Sequence, residues 1–192
     1  LDALSHLPAP WPTRPGHTFD GWSAAPSGDE PVDRDDAVAG QTIYATWSAC
    51  DDPDVLASWL AAAEDGGTVT LCGDVVVDPA TTTLILADGR SVTLDLDGHA
   101  LEVSGPADTP GLVVEEGSSL TVTDSSADGT GEFRNGGTVT VDGTLDVDAP
   151  ATSTGVVTGA GRLTGDGTFA NDGAVRHSVV VDPDLTVTGH SY

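Results

Sequence analysis

The sequence predicts a mostly β fold in two parts, the larger a short parallel β-helix closed at its start by one helix. Three observations carry this. Aliphatic residues come in runs of three to five, several alternating with Thr or Asp, which puts the aliphatics on one face of a strand. The runs are broken by Asp88-Gly89, Asp97-Gly98, Asp128-Gly129, Asn135-Gly136 and Asp142-Gly143, residue types that accept positive φ in tight turns. Between Gly155 and Gly173 the runs shrink and glycine becomes frequent. That suits a narrow stacked coil better than a sandwich, whose strands want about five to six residues.

The helix is predicted over 51–66. Asp52 is placed to cap it, and Pro53 suits the first helical position, where its missing N–H costs nothing. Val55, Leu56, Trp59, Leu60 and Ala63 then recur on one face, and Gly66-Gly67 stops the run. One greasy side on a short helix fits the open end of a coil, which otherwise exposes apolar core and unpaired backbone. Strands follow at Val69-Leu71, Val75-Val77, Leu84-Leu86, Val92-Leu96, Leu101-Val103, Leu112-Val114 and Leu120-Val122. They continue at Val139-Val141, Leu145-Val147, Val156-Val157, Val179-Val181 and Leu185-Val187. Residues 1–48 differ in composition: they are rich in proline and hold Trp11, Trp22 and Trp47.

The formal net charge is −25, with six cationic side chains against 31 acids. Such a surface repels phosphate backbones and anionic headgroups, so nucleic-acid and membrane-surface binding are not expected. No apolar run approaches the ~20 residues that span a bilayer. Two cysteines, Cys50 and Cys72, predict one disulfide and an oxidising, extracellular setting.

Two stretches carry resemblances. Pro12-Thr-Arg-Pro-Gly-His-Thr-Phe-Asp-Gly-Trp22 and Val38-Ala-Gly-Gln-Thr-Ile-Tyr-Ala-Thr-Trp47 resemble the Listeria–Bacteroides repeat of internalins and other bacterial surface proteins, with His17 in place of the usual aromatic. This implies a small β-grasp-like spacer or weak adhesion module at 4–48, with Trp22 and Trp47 in its core. Ser91-Val-Thr-Leu-Asp-Leu-Asp-Gly-His-Ala-Leu101 and Leu120-Thr-Val-Thr-Asp-Ser-Ser126 look like the right-handed β-helix of pectin-lyase-like surface proteins, with Asp97 where Asn is usual. This implies a right-handed β-helix at 51–192, but no particular activity, because that fold hosts many.

Candidate chemistry is sparse. Asp95 with Asp97, and Asp146 with Asp148, are i, i+2 pairs that could hold Ca²⁺ through hard oxygens or serve as a hydrolase's two carboxylates. In so acidic a chain such pairs also arise by chance. Uronate lyase chemistry wants Lys or Arg at the substrate carboxylate; the chain has no Lys, and Arg90, Arg134, Arg162 and Arg176 are scattered. His99 reads as a turn residue bonded to a neighbouring coil. Thr-x-Thr pairs at 68/70, 81/83, 121/123, 138/140 and 186/188 are too irregularly spaced for a flat ice-binding face. The expectation is therefore a non-catalytic surface, adhesion or stalk protein of a bacterium, with no cofactor unless Ca²⁺ binds. Its expected partners are glycans or matrix proteins. The alternative is a carbohydrate-binding or polysaccharide-degrading β-helix.

Overall fold

The computed structural model describes residues 12–14, 16–28, 30–32, 42–175, 179–183 and 185–189. The chain divides into two units, Leu1–Cys50 and Asp51–Tyr192. Both cysteines are disulfide-bonded and the sequence has no others, so the bond is Cys50–Cys72, as the cysteine count predicts.

The described part of the first unit is an antiparallel pair, β1 (His17–Ser23) and β2 (Tyr44–Ala49). Its register slips between Phe19 and Gly21, where Gly21 takes φ +149°. Phe19 meets Trp22 and Trp47 edge-on, with ring centroids 5.4 and 5.5 Å away, the arrangement that ring quadrupoles favour. Trp22 and Trp47 thus join one aromatic cluster, although both keep part of their surface exposed. Trp11 lies outside the described residues.

The second unit opens with α1 (Pro53–Ala62), shorter at both ends than the 51–66 predicted. Asp52 caps it as expected, accepting the Asp54 N–H at 2.9 Å. The helix stops before the glycines because Ala63 turns to ψ 134° and its N–H bonds back to the Trp59 carbonyl. Leu56 and Leu60 are buried in the main core, with Ala57, Trp59 and Ala63 packed against it.

No basic residue of its own lies in the last turn of α1. Arg90, which follows the Asp88-Gly89 turn, supplies the charge. Its guanidinium donates to the carbonyls of Leu60 (3.3 Å), Ala61 (3.1 Å) and Ala63 (2.8 Å), and to Ala87 from Nε (3.2 Å). The first three are orphans of the helix end, where a cation also meets the negative end of the dipole. Arg90→Ala should therefore cost about 2 kcal/mol in urea unfolding, and Arg90→Lys should recover only part of it, since one ammonium cannot fork over four acceptors. Equal stability of Arg90→Ala and the parent chain would refute this role.

The chain then visits three sheets in rotation. The first circuit is β3 (Gly67–Thr70), β4 (Val75–Val77) and β5 (Leu84–Leu86), and the second is β6 (Ser91–Asp95), β7 (Ala100–Val103) and β8 (Leu112–Val114). The third is β9 (Ser119–Thr123), β10 (Glu132–Asn135) and β11 (Thr138–Val141). The fourth is β12 (Thr144–Val147), β13 (Ala151–Ser153) and β14 (Val156–Thr158). After these come β15 (Arg162–Thr164), β16 (Thr168–Asn171), β17 (Ala174–Val175), β18 (Val180–Val181) and β19 (Thr186–Gly189). Each strand from β3 to β16 pairs in parallel with the strand three further on, giving sheets ordered β3-β6-β9-β12-β15-β18, β4-β7-β10-β13-β16-β19 and β5-β8-β11-β14-β17. The second unit is thus mostly β, with one described helix and parallel sheets compatible with a β-helix.

Register explains the change in texture along the chain. Val75 pairs with Leu101 and Leu101 with Phe133, steps of 26 and 32 residues. From there Phe133 pairs with Ala151, Ala151 with Phe169 and Phe169 with Val187, 18 residues each time. The early excess sits in the connections 78–83, 104–111 and 124–131. Strands β10, β13, β15 and β16 escape a search for aliphatic runs because each has one buried apolar residue: Phe133, Ala151, Leu163 or Phe169.

Inward positions form continuous columns, such as Val92-Leu120-Leu145-Leu163 and Leu84-Leu112-Val139-Val157, each residue 2% exposed or less. One column changes character, running Val77-Val103-Asn135-Ser153-Asn171. The Asn135 amide donates to Ser153 Oγ and to the Val156 carbonyl, both at 3.2 Å, and its oxygen accepts the Gly137 N–H. Asn171 is equally buried, but neither amide atom has a partner among the described residues; the next residue in its column, Gly189, has no side chain to offer one.

Candidate functional site

Among the described residues of the second unit the acids are the densest reserve of reactive groups, so their geometry bears most on what the unit can do. Six of the carboxylates with described contacts act as hydrogen-bond acceptors for backbone one circuit away. Asp65 accepts the Ser91 N–H (2.7 Å), Asp74 that of Ala100 (2.8 Å), Asp142 that of Ala160 (3.0 Å) and Asp148 that of Asp166 (2.9 Å). Asp124 gathers three N–H groups, from Gly98, Ser126 and Gly131, together with the Ser126 hydroxyl. These bonds join circuits at turns, where backbone donors would otherwise lack partners.

Of the two predicted calcium or catalytic pairs, Asp95 and Asp148 each take part in this pattern. Asp95, at the end of β6, accepts Ser125 N–H (2.9 Å), Ser125 Oγ (2.6 Å) and the Asp97 N–H (3.1 Å). Asp97 does not share its strand face: it sits at φ 44° in a turn with Gly98 at φ 84°, closed by His99 N–H to the Leu96 carbonyl at 2.8 Å. Two successive positive φ values define a type I′-like turn, which Asp-Gly suits. Asp95 and Asp146 lie on one sheet, but β9 runs between their strands. Among the described residues no group of three or more His, Cys, Asp or Glu is arranged to hold a metal ion. His99 reaches back to Asp74 of the preceding circuit, with Nδ1 3.6 Å from the carboxylate.

The Thr-x-Thr pairs scatter in the same way. Thr68/Thr70 and Thr121/Thr123 share a sheet, Thr138/Thr140 and Thr186/Thr188 belong to the other two, and Thr81/Thr83 lie in a connection.

Asp146 is different. With Asp148, Asp166 and Asp182 it lines a shallow depression of about 230 Å³. Asp182 is paired with Arg162 and Asp148 is held by the Asp166 N–H. Burial pushes the Asp146 carboxyl above its ordinary pKa, and the charges of Asp148 and Asp166 push it further. Asp95 and Asp124 go the other way: burial disfavours their charge, but the hydrogen bonds from Ser125 and Asp97, and from Gly98, Ser126 and Gly131, outweigh it.

The signs predict pH behaviour. Asp95 and Asp124, with folded pKa values below the unfolded one, add stability at neutral pH that is lost as pH falls through those folded values. Asp146, with a raised folded pKa, opposes folding once ionised, so its penalty is absent below the unfolded value near 4 and grows as pH rises through its folded value. Asp146→Asn should raise the melting temperature by about 1–2 °C at pH 7 and leave it unchanged at pH 3, where both forms are neutral. A melting temperature lowered at pH 7 would show that the charge is needed.

No protein-family model, curated protein or solved structure matches the chain. Its function is therefore read from its own geometry. No described helix is long and apolar enough to cross a membrane. The disulfide is consistent with an oxidising, extracellular setting, where such bonds persist.

Proposed function

We propose that this chain is a non-catalytic, extracellular structural or adhesive segment of a bacterial surface protein. In this reading a Listeria–Bacteroides-type module of β-grasp-like fold is followed by a helix-capped, right-handed β-helix that acts as a stalk. Parallel β-crossovers are right-handed in almost all folds. The observation that carries the reading is the use of the acids. Asp65, Asp74, Asp95, Asp124, Asp142 and Asp148 hold backbone between circuits, so these six carboxylates serve rigidity. Rigid, repeated and acidic on its outside, such a stack resists collapse and self-association, as a spacer in solution must.

The test incubates the purified chain with insoluble polysaccharides and immobilised matrix proteins, with Ca²⁺ and with chelator. Retention on a surface, or a monodisperse rigid particle with no retention, fits an adhesive or a purely spacing role respectively. Release of reducing ends or unsaturated uronates would overturn the non-catalytic reading. Retention abolished by chelator would bring Ca²⁺ and the pair Asp146/Asp148 into the binding.

A further inference from the structure

The first unit contains a concave surface that neither the stalk reading nor the acids explain. It is an open concavity of about 510 Å³ lined by Arg14, Asp20, Pro26, Ser27, Thr46 and Trp47, among others. That volume lies within the usual range for small-molecule sites. One wall is a tied turn: Ala25 N–H bonds to Ser23 Oγ at 3.1 Å, Gly28 N–H to the Ala25 carbonyl at 3.1 Å, and Val32 N–H to the Trp22 carbonyl at 2.9 Å. Gly28, at φ +86°, brings this wall against β2, where a Cβ on it would lie 3.3 Å from Thr46 Cγ2. The wall is therefore built before any ligand arrives.

One aromatic side chain and two charged ones line the concavity together. Trp47 is half-buried and braced edge-on by Phe19, so its indole is held in place. Arg14 and Asp20 are exposed. The Arg14 guanidinium has no hydrogen bond or ion pair among the described residues, and Asp20 accepts only the Ser48 hydroxyl, at 2.9 Å through Oδ2, which leaves Oδ1 open. Thr46 donates to the Gly21 carbonyl at 3.0 Å and keeps its lone pairs for a donor. A fixed indole beside a fork of donors and a carboxylate matches a pyranose, which has an apolar C–H face and a ring of hydroxyls that both donate and accept.

We infer that this concavity binds neutral oligosaccharides through stacking on Trp47 and hydroxyl hydrogen bonds to Asp20, Arg14 and Thr46. Polyanionic glycans are disfavoured, because a chain of net charge −25 repels them and Arg14 is the one cation among the described residues lining the concavity. The stalk reading of the second unit does not depend on this site.

Titration calorimetry of the full chain with cellohexaose, laminarihexaose, mannohexaose and polygalacturonate tests the inference. At least one neutral hexasaccharide should bind, and Arg14→Ala and Asp20→Ala should each weaken it about tenfold or more, the cost of one hydrogen bond to a charged group. Both side chains are exposed, so circular dichroism melts should not change. Trp47→Phe should weaken binding while preserving an aromatic ring against Phe19. The inference is overturned if no neutral hexasaccharide binds, if binding survives the Arg14→Ala/Asp20→Ala double variant, or if polygalacturonate alone binds.

Discussion

Gly159→Ala should destabilise the second unit by about 4 kcal/mol, with the loss seen in urea unfolding followed by far-ultraviolet circular dichroism. Two costs combine. Gly159 sits at φ +125°, a region that L side chains rarely enter, and a Cβ there would lie 2.1 Å from the Val141 carbonyl oxygen directly beneath it in the stack. Neither can relax alone. The obstacle is backbone, and it is already engaged, since the Val141 carbonyl accepts the Gly161 N–H at 2.8 Å. Gly129→Ala is the control. It also has positive φ, +60°, but nothing lies within 4 Å of its Cβ, so it should cost only about 1 kcal/mol. If the two variants were equally stable, close stacking of the later circuits would be wrong.

Phe169→Ala should cost about 3–5 kcal/mol, and here the opposite substitution is informative. Phe169 is fully buried in the column Leu101-Phe133-Ala151-Phe169-Val187. The column reads large, small, large at Phe133, Ala151 and Phe169, and adjacent strands stand only about 4.8 Å apart. Ala151 is the space that two phenyl rings in neighbouring circuits require. Ala151→Leu should therefore destabilise by about 1–3 kcal/mol through overpacking, although it adds apolar surface. A gain in stability from Ala151→Leu would mean that the column holds a void.

The same column shows how far the sequence can be read. Runs such as Val75-Val77, Leu84-Leu86 and Leu120-Val122 announce themselves, because two aliphatics at i, i+2 leave little choice but a buried strand face. Asp52-Pro53 marks a helix start as plainly, since cap and first turn are local chemistry. Ala151-Thr152-Ser153 carries no such signal. It is a strand because Phe133 to Asn135 lies on one side of it and Phe169 to Asn171 on the other. Arg90 is legible as a turn-flanking cation, but its role depends on a helix end about 30 residues earlier. Trp47, which its motif assigns to a core, is both braced by Phe19 and open to a concavity, a distinction that no linear pattern encodes.

The acids mark the boundary most clearly. Their number and their place beside glycine turns are properties of the sequence, and so are the mostly β composition, the single disulfide and the helix start. Whether a given carboxylate is free, paired or committed was decided by the stacking. Asp146 and Asp148 are two residues apart on nearly the same strand, yet one is pushed toward its neutral form by burial and then by neighbouring charges, and the other receives a backbone N–H from the next circuit. The physical reason is that a parallel stack brings each residue against another 18 to 32 positions away, and the length of each connection, not the local residue type, chooses which one.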